Sequence, residues 1–89
     1  MIEREVEIVN RLGLHARAAA KLVHTAGGFQ SRVTVEKDGE EVDGKSILGI
    51  LLLGAGQGSQ VTIRCDGQDE EDAMRAVTTL IANRFDEES

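Results

Sequence analysis

The segment Asn10-Arg11-Leu12-Gly13-Leu14-His15-Ala16-Arg17-Ala18-Ala19-Ala20-Lys21-Leu22 places a histidine, then an arginine two positions on, where a glycine-marked loop runs into an alanine-rich stretch. The first turn of a helix carries backbone N–H groups without internal partners and the positive end of the macrodipole, so it favours an anion. A cation is disfavoured at that end, so an imidazole there is expected in its neutral form, which is a nucleophile. Arg17 and the free amides would receive the anionic group that the ring picks up. The combination suits reversible phosphorylation on histidine.

Composition narrows the setting. Eighty-nine residues make a single small domain over 1–89, able to bury about 60–65% of its unfolded surface. The chain has 16 acidic and 10 basic residues, a formal net charge of -6, which argues against general nucleic-acid binding. One cysteine, Cys65, cannot close an internal disulfide and fits a reducing compartment. No apolar run approaches the roughly 20 residues needed to span a bilayer, and Met1-Ile2-Glu3-Arg4-Glu5 does not read as a signal peptide. A cytoplasmic, monomeric protein without membrane insertion is the expectation.

Charge is unevenly distributed. Residues 8–35 lack Asp and Glu but include Arg11, Arg17, Lys21 and Arg32, and residues 44–65 also lack acids while including Lys45 and Arg64. The carboxylates fall in 3–7, 36–43 and 66–88. If the acid-free segments meet, they form one neutral-to-basic face around His15, suited to partners bearing acidic or phosphorylated groups. Ordinary scatter is the competing reading.

These residues need elements to hold them. Ile2, Val6 and Ile8 alternate loosely with charges, predicting a strand over about 2–9. Ala16, Ala19, Ala20 and Val23 recur at helical spacing, predicting a helix over 16–26 that Gly27-Gly28 stops. Residues 31–36 alternate as a second strand, Asp38-Gly39 is a hairpin signal, and 40–43 form the return strand. Ser46 caps a short helix over 47–53. Val61, Ile63 and Cys65 share one face of a fourth strand, with Cys65 a buried thiol. Asp69-Glu70-Glu71-Asp72 opens a last helix whose buried stripe is Ala73, Val77, Leu80 and Ile81. The acidic tail Asp86-Glu87-Glu88-Ser89 is expected to fray. Gly54-Ala55-Gly56-Gln57-Gly58 follows a helix and leads into a strand, the wrong order for a dinucleotide loop, and is a turn. The order βαββαβα predicts an α+β open-faced sandwich, a four-stranded antiparallel sheet with three helices on one face.

The chain resembles the HPr family, the histidine-containing phosphocarrier of the phosphoenolpyruvate-dependent phosphotransferase system. The resemblance covers nearly the whole length. It rests on Gly13-Leu14-His15-Ala16-Arg17 and Gly44-Lys45-Ser46-Ile47-Leu48-Gly49-Ile50-Leu51 in the family's order and spacing. It implies that His15 takes a phosphoryl group on Nδ1 from enzyme I and passes it to an acceptor such as an enzyme IIA, that Arg17 contacts the phosphate, and that Ser46 is in some members phosphorylated by a regulatory kinase. It also implies a covalent intermediate in a transfer chain rather than a stand-alone enzyme, with no cofactor and no metal. Ala18 departs from the proline common in sugar-branch members and also matches HPr-like proteins of nitrogen-related or regulatory branches.

Blander roles stand beside these. From position alone His15 divides evenly between chemistry and a helix-start residue contacting backbone, Arg17 falls back to a solvated helix charge, and Ser46 to an N-cap. Ile47, Leu48 and Leu51 resemble the family's apolar docking patch, although one face of that helix must be core. Ala20, Lys21, His24 and Lys45 are the further candidates for partner contact, His24 sharing a helix face with Arg17 and Lys21. A non-catalytic ligand-binding regulatory module is the alternative from another class.

Overall fold

The computed structural model describes residues 1–88. Six-residue β1 (Ile2–Glu7) leads through a loop to α1 (Ala16–Gly27), then β2 (Arg32–Lys37), β3 (Glu40–Asp43), α2 (Ile47–Leu52), β4 (Gln60–Asp66) and α3 (Glu70–Ala82), with a 3-10 turn at Arg84–Asp86. The strands form one antiparallel sheet in the order β1-β4-β2-β3. The architecture is the α+β open-faced sandwich that periodicity predicts.

Alternation decides which sheet face is covered. Val33 opposes Cys65 and Val35 opposes Ile63, and all four are buried beneath the helices. The opposite parity carries charge: Arg64 on β4 bridges Glu3 of β1, Glu36 of β2 and Glu41 of β3. Asp38 and Gly39, with φ of 52° and 85°, supply the two left-handed residues of a tight hairpin between β2 and β3. Ser46 caps α2, its Oγ accepting from the Gly49 N–H at 3.1 Å. Cys65 is fully buried and free, and burial raises its thiol pKa.

Several boundaries and faces differ from expectation. β1 ends at Glu7, β2 is shifted one residue on, and α2 ends at Leu52. Helix α1 continues through Gly27, and Gly28 closes it in a right-handed conformation at φ -76°. Its buried stripe is Ala18, Ala19, Leu22 and Ala26, whereas Ala16 and Ala20 are exposed and Val23 half-buried. In α3, Met74 joins Ala73, Val77 and Ile81 in the core, and Leu80 is only half-buried.

The largest difference is the tail. Phe85 is fully buried in the core, and Lys21 Nζ donates to its carbonyl at 2.7 Å. The tail is therefore docked through Glu87 rather than frayed from Asp86 on, and Glu88 is exposed; Ser89 lies outside the described residues.

Asp69 also departs from its expected role. Glu70, Glu71 and Asp72 occupy the first turn of α3, but the Asp69 side chain makes no cap bond. It accepts instead from the Gln30 and Ser31 backbone N–H groups, each at 2.9 Å, and from the Ser31 hydroxyl, pinning the α1–β2 loop. The Ser31 hydroxyl bond, then the Gln30 amide, hold the Asp69 carboxyl below its ordinary pKa. A depressed folded pKa contributes stability that is complete above the unfolded value of about 3.9 and is lost as pH falls through the folded value. The melting-temperature gap between wild type and Asp69→Asn should thus hold steady from neutral pH to about pH 5 and narrow towards about pH 2. A gap that widens in acid would contradict the clamp.

Candidate active site

The loop between β1 and α1 is fastened before it reaches His15. Ile8 N–H donates to Ser59 at 2.9 Å and Leu14 N–H to Ala55 at 2.9 Å, both on the loop that leaves α2. Gly13 has φ +67°, and a Cβ there would stand 2.5 Å from the Ala55 carbonyl oxygen and 2.7 Å from Gly56 Cα. Only glycine meets both demands. Asn10, fully buried, donates from Nδ2 to the Gly13 carbonyl at 2.8 Å.

His15 is the N-cap of α1, with extended backbone at φ -75° and ψ 179°. Its Nδ1 accepts from the Arg17 backbone N–H at 3.3 Å, and its Nε2 is hydrogen-bonded to the Glu87 carboxylate. A backbone N–H can only donate, so Nδ1 presents a lone pair and Nε2 carries the proton that Glu87 accepts. The bond to Nδ1 is long for an N–H donor and therefore weak. The His15 side chain is 27% exposed and Glu87 16%, so the ring is reachable from solvent rather than sealed in the core.

Arg17 lines a shallow depression with Leu12, His15, Ala16 and Glu87. Among the described residues its guanidinium makes no hydrogen bond or ion pair; only its backbone N–H is engaged, with His15. A second depression beside the first gathers Arg17, Ala20, Lys21, His24 and Thr25 of α1 with Leu80 and Asp86. On α2, Ile50 is fully buried, while Ile47, Leu48 and Leu51 are exposed.

The two lysines have structural work as well. Lys21 Nζ is committed to the Phe85 carbonyl, and Lys45 Nζ donates to the Phe29 carbonyl at 2.8 Å. Neither side chain is a loose tether, and Lys45 sits beyond the C-terminal end of α1, at the opposite end of that helix from His15. The acid-free segments do touch, through the Leu14–Ala55 bond and the packing of α1 on α2, but Arg32 and Arg64 lie on the uncovered face of the sheet beside Glu41 and do not join a basic face around His15. The face they make is not free of carboxylates, because Glu87 reaches His15 from the tail.

Sequence reasoning missed Asn10, Glu87, Leu12 and Leu52. Leu12 and Leu52 are both exposed, Leu12 beside His15 and Leu52 at the end of α2. The leucine surplus of Ile47-Leu48-Gly49-Ile50-Leu51-Leu52-Leu53 was a usable signal, since six helical residues cannot bury so many apolar side chains. Glu87 had only one local cue, the solitary Phe85 among charges, which is an anchor in waiting.

A family model described as PTS HPr component phosphorylation site matches residues 2–83. The chain belongs to the HPr family. It is 54% identical over 87 residues to the phosphocarrier protein HPr of Cupriavidus necator, covering 98% of each chain. It is 51% identical to the HPr of Xylella fastidiosa over the full length of both. Among solved structures, an HPr from Thermoanaerobacter tengcongensis superposes with a TM-score of 0.96 at 48% identity, with complete coverage of both chains. An HPr-family phosphocarrier of the phosphotransferase system thus has a helix-capping histidine in a surface depression shared with the exposed Leu12. No helix among the described residues is long and apolar enough to cross a membrane.

Proposed function

We propose that this HPr-family chain accepts a phosphoryl group on His15 Nδ1 from phosphorylated enzyme I and passes it to an enzyme IIA or another acceptor domain, working in the cytoplasm. The observation that carries this reading is the Nδ1 lone pair at the head of α1, met among the described residues by one long bond, from the Arg17 N–H. As the Nδ1–P bond forms, the N–P bond of the donor phosphohistidine breaks and its electron pair stays on the donor ring. The arriving phosphoryl displaces the Arg17 N–H from Nδ1. That amide is then available to the phosphoryl oxygens, together with the helix dipole and the unpaired guanidinium. Stabilisation of this kind is moderate, as a carrier that must release its cargo requires.

Docking falls to the exposed apolar side chains Ile47, Leu48, Leu51 and Leu52 of α2 and Leu12 beside His15, with Ala20, Lys21, His24 and Lys45 as further contacts. The experiment is direct. The chain is incubated with phosphoenolpyruvate and enzyme I, and about one acid-labile, alkali-stable phosphate per chain is expected. No incorporation, or an acid-stable phosphate, overturns the reading.

Ser46 is a regulatory site in the same proposal. A phosphate there adds about -1.5 to -2 charge beside the patch, at a helix start that tolerates anions. Its effect is on docking rather than folding. Ser46→Asp should keep stability within about 0.5 kcal/mol of wild type, since Asp caps as well as Ser, while slowing phosphorylation by enzyme I about tenfold or more. Ser46→Ala should cost about 1 kcal/mol from the lost Gly49 bond and leave transfer intact. Thermal melts and initial rates check both; an unfolded Ser46→Asp with an unchanged rate would reverse the interpretation.

A further inference from the structure

We propose that Glu87 is a positioning residue for the transfer, holding the His15 ring in the tautomer whose Nδ1 is free to attack and facing the positive charge that the ring acquires. The inference rests on the reading of His15 as the phosphoryl acceptor.

Both carboxylate oxygens of Glu87 are used. One accepts from His15 Nε2 and the other from Asn10 Nδ2 at 3.1 Å. Asn10 cannot be turned over. Its amide nitrogen faces two acceptors, the Gly13 carbonyl and Glu87, and an oxygen in that position would be repelled by both. In this orientation its Oδ1 is buried and accepts no hydrogen bond from the described residues.

The tail is also built to deliver this carboxylate. Arg84, Phe85 and Asp86 all adopt left-handed backbone, with φ of 58°, 54° and 63°, and none is glycine. Such a run persists only where its surroundings impose it. Here the buried Phe85 ring and the Lys21 bond to its carbonyl do so, and the turn they enforce brings Glu87 back to the head of α1.

The chemistry follows from the ring. Neutral imidazole attacks through its unprotonated nitrogen, so a group that keeps the proton on Nε2 keeps Nδ1 reactive. When Nδ1 bonds phosphorus, the ring becomes cationic and its Nε2 proton stays where it is, against Glu87. When the group moves on, the Nδ1–P bond breaks, the electron pair returns to Nδ1 and the ring is neutral again, with no proton released. Burial pushes the Glu87 carboxyl up, but the hydrogen bonds it accepts from Asn10 and His15 and the nearby Lys21 charge outweigh it and hold it below the ordinary carboxylate range. The charged groups around the pair are Arg17 and Lys21 from α1 and Asp86 from the tail.

Glu87→Gln tests this without removing volume. A glutamine amide can turn its NH₂ towards Nε2, which would move the ring proton to Nδ1 and set it against the Arg17 N–H. Nitrogen-15 spectra of the full-length protein should show one Nε2–H tautomer in wild type and a mixture in Glu87→Gln and Glu87→Ala, at nearly unchanged melting temperature. Phosphorylation by enzyme I should lose about tenfold or more in kcat with KM changed less than about twofold, and Glu87→Asp should recover part of it. Wild-type phosphorylation with unaltered rate and tautomer in Glu87→Gln overturns the role of Glu87 and spares that of His15. Absence of phosphate on the wild-type chain overturns both.

Discussion

Replacing His15 with alanine should abolish acid-labile phosphate on this chain, a loss of roughly 10⁴-fold or more, while the fold survives. The imidazole is the bond-forming group of the proposed relay, so no neighbour can substitute for it. Arg17 is not a nucleophile, and His24 is an exposed side chain on a different part of α1. The structural cost is small by comparison. The ring supplies α1 with a single long cap bond, and removing such a cap costs about 1 kcal/mol. Asn10 and Glu87 would keep each other as partners. Labelled phosphoenolpyruvate with enzyme I measures the first effect, and a thermal melt the second. His24→Ala is the matched comparison and should be phosphorylated like wild type. Phosphate retained by His15→Ala, or lost from His24→Ala, would remove the basis of the proposal.

The second large effect is on stability, and it comes from the segment that local composition describes worst. Phe85→Ala deletes a fully buried ring, for which about 3–5 kcal/mol is expected. In a domain of this size each kcal/mol is worth about 4–8 °C, so the midpoint should fall by roughly 12 °C or more. Relief of the left-handed strain over Arg84–Asp86 offsets part of this, because an undocked tail need not hold that conformation. The same substitution should release Glu87 from His15 and so reproduce the tautomer mixing of Glu87→Ala. Glu88→Ala, at an exposed position, should do neither. A midpoint within about 2 °C of wild type would mean that Phe85 contributes nothing to the core in solution.

Short-range chemistry was legible in the residues themselves. Ser46 is an N-cap because a hydroxyl three residues ahead of an amide can reach it, and Asp38-Gly39 turns because both accept left-handed backbone. Alternation along β2 and β4 settled which side chains go under the helices, and the order of elements followed. The candidate site was legible to the same extent, since Gly13, His15 and Arg17 lie within five residues and their relations are those of one loop and one helical turn.

Longer-range relations were not legible. With alanines at 16, 18, 19, 20 and 26, several stripes of α1 are equally apolar on paper. Packing chose Ala18, Ala19, Leu22 and Ala26, and thereby turned Ala20 and His24 outwards. Lys21 and Lys45 look like free charges until the Phe85 and Phe29 carbonyls are brought to them. Glu87 joins His15 across 72 residues of chain and Asn10 across 77. By itself the sequence determined the strands, the caps and a histidine at a helix start, because hydrogen bonds and periodicity act over a few residues. Only the tertiary structure decided which proton that histidine holds and what holds it there, because a buried phenylalanine had to anchor the far end of the chain before a carboxylate could reach the ring.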